Sequence, residues 1–325
     1  MGRLRNLIRA NFIRYFHRVH TLVVLVVSFG LGVYHTIISV RLVENDNGES
    51  YYHFRSQFTM AILLMFMATI IHALNLGSEF NSGAVRNKLI AGYTKIQIFV
   101  SELILSWVYT CIFCALFFMP FLVVRMPYLT SGNSFGRLLF ILTLITLSII
   151  AVTTITVFIC FLIKNHIVAA IISLMIIVMM VLIRDDVNKY LQKPHYYADI
   201  TFEDGHVESW QVGNGDNTEN EGVRFHEGST VKYRENPGYV DGAARVLLTV
   251  MDEANPYNAL NDSSLGISGY RIGVEDTLTD KQKDLLEKEK GNISDKCKRE
   301  AAYNAGLIVI FSVLGILVFR KRNIK

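Results

Sequence analysis

Few side chains in this sequence have the type and spacing to do chemistry, and most of those lie in apolar runs. Cys111 and Cys114, in "CIFC", have the C-x-x-C spacing of a redox or metal-binding pair. A thiol in an apolar helix is a packing group, however, because reactivity needs an accessible thiolate in an electropositive setting. His17 and His20, in "HRVH", stand at i and i+3, as two metal ligands on one helical turn would. With no carboxylate or cysteine nearby, two imidazoles are weak grounds for a metal site. His35 and His72 fall in or beside apolar runs and read as hydrogen-bonded packing groups. Glu102 is the one carboxylate within an apolar run, too little for the relays of a proton- or sodium-driven carrier. No G-x-x-x-x-G-K-[ST] occurs, so the phosphate cradle of a P-loop ATPase is missing. One stretch stands apart, "GSEFNSGAVRNKLIAGYTKIQIF" at residues 77–99, basic and glycine-punctuated between two apolar runs.

The elements around these groups are set by hydropathy. The chain is 51% hydrophobic against 18% charged, with mean hydropathy +0.34, too apolar for a soluble domain of 325 residues. A helix of about 20 apolar residues crosses the hydrocarbon core, with every backbone amide satisfied internally. Six runs qualify, at 21–40, 57–76, 97–124, 138–163, 166–183 and 302–319. The first is long and lacks a small-x-small cleavage site before "RLVENDNGES", so it reads as a retained span. The expected fold is an all-α polytopic membrane protein with six transmembrane helices.

Charge then orients the spans, since short loops rich in Lys and Arg stay in the cytoplasm. Arg3, Arg5, Arg9, Arg14, Arg18, Arg86, Lys88, Lys95, Lys164, Arg320, Lys321, Arg322 and Lys325 fall on one side; Arg41, Arg55, Arg125, Arg137 and Arg184 lie near the opposite span ends. Both termini are therefore expected in the cytoplasm. Residues 185–300 hold 23 of the 28 acidic and 14 of the 32 basic side chains, a formal charge of −9 in a chain of net +4. They form an outer insertion between the fifth and sixth spans. The resulting plan is a cytoplasmic interfacial helix at 1–20, spans 1–2 within 21–76, a cytoplasmic loop at 77–96, spans 3–5 within 97–183, an extracellular domain at 184–301, span 6 at 302–319 and a cytoplasmic tail at 320–325.

Local patterns add detail. "RLRNLIRANFIRYFHR" places Leu4, Leu7, Ile8, Phe12, Tyr15 and Phe16 on one helical face with arginines around the rest, the pattern of a helix lying on the cytoplasmic leaflet. In the 77–99 stretch, Ser82 is the expected N-cap of a short helix carrying Val85, Leu89 and Tyr93 at i, i+4 and i+8, and Gly92 its C-cap. Thr94 and Gln97 form a capping-box pattern that restarts the third span. "RDDVNKYLQK" extends the fifth span as helix. "ADITFEDGHVESWQVGNGDN" has turn residues between short β-like runs, and "PGYVDGAARVLLTVMDEAN" and "DTLTDKQKDLLEKEKGNISDKCKREAAY" read as helices, giving a small mixed or mainly helical outer domain. No convergent carboxylate pair, nucleophile with base, or metal cluster is visible there, so the chain reads as a non-enzyme.

"GSEFNSGAVRNKLIAGYTKIQIFVSEL" resembles the cytoplasmic segment of ABC-2 type transporter permeases, with Glu79, Phe80, Gly83, Arg86, Asn87, Leu89, Gly92 and Lys95 carrying the match. Glu102 stands where a basic residue is common among them. "ENPGYVDGAARVLLTVMDE" is similar to an outer-loop segment of such permeases from Gram-positive bacteria, and "GILVFRKRNIK" to their usual ending. The resemblance implies a type V exporter-like ABC-2 fold and the permease subunit of an ATP-binding cassette exporter. It also implies partners: two ATP-binding subunits and a second permease, as homodimer or heterodimer, within membrane lipid. No cofactor would be bound by this chain, ATP and Mg being held by the partner ATPase. The 77–96 loop would be the coupling helix, touching the ATPase through Glu79, Phe80, Gly83, Arg86 and Leu89. A different class of reading is a membrane-anchored binding or sensing protein acting through its outer domain.

Overall fold

A computed structural model describes residues 2–45, 60–125, 132–163, 165–193, 195–201, 207–212, 230–258, 260 and 280–321. They form two compact units, one of residues 1–181 and 253–325 and one of Leu182–Asp252. The second compares with 184–301, the outer domain read from the sequence.

The first unit is helical. Helix α1 (Gly2–Phe16) precedes α2 (Val19–Asn45), α3 (Ala61–Asn81), the short α4 (Ala84–Ile90), α5 (Lys95–Arg125), α6 (Gly132–Leu162), α7 (His166–Leu191) and, after the second unit, α9 (Asp280–Lys321). Six of these are long and apolar enough to cross a membrane: α2, α3, α5, α6, α7 and the end of α9 from Ser294. They match the six runs read from hydropathy. For the second run, the described helix begins at Ala61; residues 57–59 lie outside the described residues.

Packing follows helical periodicity. On α5, Tyr109, Phe113, Phe117 and Phe121 recur every four residues and are all buried, meeting Leu64, Met65 and Ala68 of α3 and Ile141, Ile145 and Ile149 of α6 in one apolar cluster. Lipid gives helices no hydrophobic drive to associate, so close approach and interhelical hydrogen bonds decide which faces meet. Where α2 crosses α5, a Cβ at Gly32 would overlap the Phe117 carbonyl. One turn before, Ser28 donates its hydroxyl to the Phe113 carbonyl at 3.1 Å. Helix α6 packs along α3, α5 and α9. Rows such as Ile171, Met175 and Val178 on α7 remain exposed, as suits surface that faces acyl chains.

The second unit contains the end of α7, a three-stranded antiparallel sheet and helix α8 (Gly242–Glu253). In the sheet, β1 (Tyr196–Thr201) lies between β2 (Val207–Val212) and β3 (Thr230–Glu235), with Tyr196 opposite Val212 on one side and Glu235 on the other. The β-like runs, the extension of α7 to Leu191, and the helix at 242–253 agree with the sequence reading.

Candidate functional site

The loop between α3 and α5 is fully ordered as helix and turn. Ser82 does not cap α4, as its position suggested. It ends α3, its backbone N–H bonding to the Ser78 carbonyl at 3.0 Å, and Gly83 takes the N-cap position with φ +70°. A left-handed backbone is what allows α3 to stop and α4 to start within two residues, and it selects glycine over serine. The other end follows the reading more closely. Gly92 has φ +86°, its N–H meets the Leu89 carbonyl at 3.0 Å, and the Tyr93 N–H meets the Lys88 carbonyl at 3.1 Å. These two bonds are a Schellman closure. Then Thr94 and Gln97 form a reciprocal capping box, N–H to Oε1 at 3.0 Å and N–H to Oγ1 at 3.2 Å.

Seven residues are too few to hold a helix in isolation, so α4 depends on what it touches. Val85 is buried, and Leu89 and Tyr93 pack with it against Ile98, Phe99, Phe161 and Phe319. The polar contacts reverse the usual pattern. Lys88 is buried, with a side chain 7% exposed, while Ile90 is 75% exposed. The Lys88 ammonium lies between two buried carboxylates, donating to Glu79 on the last turns of α3 and to Glu102 Oε1 on α5 at 2.7 Å.

Helix α1 completes this cluster. Its buried stripe is Leu7, Asn11 and Tyr15, at i, i+4 and i+8. Asn11 Nδ2 donates to Glu102 Oε1 at 2.8 Å and to Ser101 Oγ at 3.0 Å. Arg14 reaches Glu79 Oε1 at 3.3 Å and Asn11 Oδ1 at 2.9 Å, and Arg18 stands 3.8 Å from the same Glu79 oxygen. Charges taken out of water are tolerated only when paired and hydrogen-bonded. Two carboxylates facing one ammonium and two guanidinium groups meet that requirement.

A neutral polar chain continues from the cluster. Arg18 donates to the Asn75 carbonyl and Oδ1 at 2.8 and 2.9 Å, and Asn75 Nδ2 donates to Thr21 Oγ1 at 3.2 Å. The Tyr15 hydroxyl lies 2.7 Å from His72 Nδ1, His72 Nε2 lies 3.1 Å from Thr110 Oγ1, and Thr110 lies 3.3 Å from Thr153. Burial, more than any neighbour, raises the Tyr15 phenol well above its ordinary pKa, so it stays protonated and able to donate.

The residues singled out from the sequence therefore divide. Glu79 is inside the ion cluster, and the Phe80 ring packs edge-on against Phe161 at 5.3 Å. Gly83 shapes the turn, Leu89 is half-buried, and Arg86 is exposed. Arg86, Asn87 and Ile90 form the outward side of α4. His72 is a bridging group, as expected. His17 and His20 serve separate partners, the Ile13 carbonyl and Asn75 Oδ1. Among the described residues, no group of three His, Cys, Asp or Glu side chains is placed to hold a metal, and the four cysteines are free thiols. Lys88, Asn11, Arg18 and Asn75 were missed from sequence. The available signal was a polar residue at an apolar position of the helical repeat: Asn11 between Leu7 and Tyr15, and Lys88 three residues after Val85.

With its six apolar helices the chain is a multi-pass membrane protein. No protein-family model matches it, and no characterised protein matches it in sequence.

Proposed function

We propose that this chain is the membrane-spanning subunit of an ATP-driven exporter, with α4 as the coupling helix that receives motion from a separate ATPase. The observation that carries this reading is the construction of α4. A seven-residue helix is clamped by buried ions to α1, α3 and α5, yet it presents a cation and a large aliphatic side chain, Arg86 and Ile90, outward. Burying Lys88 while exposing Ile90 disfavours a helix that merely closes a loop, and suits one that docks into an apolar, partly acidic groove. The sequence resemblance around Glu79, Phe80, Gly83, Arg86 and Leu89 supports the same role.

On this reading Glu79 holds α4 rigid from behind, and Arg86 and Ile90 meet the ATPase. Both termini and α4 lie on the cytoplasmic side of the cell membrane, in an ABC-2 exporter arrangement with a second permease and two ATP-binding subunits. ATP and Mg stay on those subunits. The cargo is a peptide, drug, lipid or ion. Purification of the tagged chain from its native membrane in mild detergent, with mass spectrometry of what accompanies it, tests the proposal. A P-loop ATPase is expected with the native chain and is expected to be lost with Arg86→Glu or Ile90→Asp. Recovery of no ATPase would turn the assignment toward a membrane-anchored binding protein.

A further inference from the structure

Helix α8 is amphipathic in the wrong sense for water. Leu248, Thr249 and Asp252 face inward, while Val246 (64% exposed), Leu247 (60%), Val250 and Met251 face out. Four aliphatic side chains at i, i+1, i+4 and i+5 make a continuous apolar stripe, which a helix bathed in solvent does not favour.

Both ends of α8 are tied to segments whose depth is known from the spans. Within the second unit, Arg245 in its first turn donates Nη2 to the Leu191 carbonyl at 3.3 Å, where α7 ends. The same Arg245 guanidinium lies 4.6 Å above the Tyr239 ring, which stacks on His195 at 4.4 Å, and Lys193 Nζ lies 4.8 Å above Tyr190. Aromatic rings paired with long cations at the end of an apolar span are the groups that settle at the headgroup level. Within the first unit, Asn255, two residues past the end of α8, donates to the Met180 carbonyl at 2.7 Å. Leu260 is buried with the bundle's apolar core, and Tyr257 packs against it.

Met180 precedes Leu191 by eleven residues along α7, a drop of about 16 Å into the apolar part of the span. Helix α8 has twelve residues and is about 18 Å long. The chain therefore enters α8 at the headgroup end of a span and leaves it at hydrocarbon depth, covering that drop in one helix.

We propose that α8 is sunk into the leaflet on the Leu191 side, with Val246, Leu247, Val250 and Met251 against lipid acyl chains. The occupant of its exposed face is lipid, and the stripe needs no protein partner. This inference is independent of the coupling role of α4.

The test is spin-label accessibility in the full chain, with its four cysteines replaced by alanine, reconstituted in phosphatidylcholine–phosphatidylglycerol vesicles. Nitroxides are placed singly at Leu247 and Val250, with Met175, exposed on α7, as the lipid reference and Glu235, exposed on β3, as the water reference. Collisions with oxygen are expected to outweigh those with a water-soluble nickel chelate at 247 and 250, as at 175 and opposite to 235. A dominant nickel signal at 247 and 250 would place the stripe in water and overturn the proposal. Low accessibility to both reagents would mean a protein cover, either a second copy or another partner, and would overturn it equally. A Met175 label that behaves as lipid-facing shows that the variant chain is inserted and folded.

Discussion

Lys88 holds two carboxylates that would otherwise repel each other in a dry setting. Removing one member of a buried ion group leaves the rest uncompensated, which costs about 3–5 kcal/mol, whereas removing charges of both signs together costs far less. Lys88→Met is therefore expected to lower the thermal midpoint in detergent sharply, because Glu79 and Glu102 lose their common donor. Adding Glu102→Gln to Lys88→Met should recover part of the loss, since one ammonium and one carboxylate have then gone together, leaving Glu79 with Arg14 and Arg18. Equal midpoints for the single and double variants would show that the two charges do not interact. None of this pairing was legible in the sequence. Glu79, Lys88 and Glu102 are separated by 9 and 14 residues, and only the folding back of α4 brings them together.

For α4 as an element, the sequence supplied the apolar stripe, the closing glycine and the capping box of α5, because each rests on spacing within a few residues. It misplaced the N-cap, because Ser82 satisfies the composition rule while the chain direction requires a positive φ one residue later. Gly83 is where that requirement falls. Gly83→Ala puts a Cβ on a left-handed backbone, costing at least about 1 kcal/mol, although open space surrounds the position. The expected result is a measurable fall in the thermal midpoint and faster proteolysis between α3 and α5. Ser82→Ala, by contrast, should be near neutral, as its hydroxyl makes only a 3.5 Å contact to the Glu79 carbonyl. The opposite ranking would restore Ser82 as the cap. Hydropathy gave α8 its helix but not its inverted burial, since a periodic pattern locates an apolar face without saying whether protein or lipid will cover it.

Over the whole molecule, the six apolar helices were readable because a span must be long and continuously apolar; their neighbours were not, because association in lipid turns on single small or polar residues such as Gly32 and Ser28. The last helix shows what that arrangement imposes. Its 42 residues form a rod of about 63 Å, roughly twice the hydrocarbon thickness. Two side chains set its rotation: Arg299, which grips Glu253 with Nε and Nη2 at 2.7–3.0 Å, and Asn304, which donates to Ser148 Oγ on α6 at 2.9 Å. A continuous α-helix has no freedom to twist locally, so these contacts fix the angular phase of residues several turns away. Deleting one residue between 285 and 292 should swing everything before it by about 100° relative to the membrane-embedded part, whereas deleting seven, close to two whole turns, should leave the same face presented. Disulfide trapping between cysteines on either side of the deletion and on the facing segments would register the difference. The length of this segment is therefore quantised in turns, and the rod behaves as a shaft that can be shortened only in steps that preserve its phase.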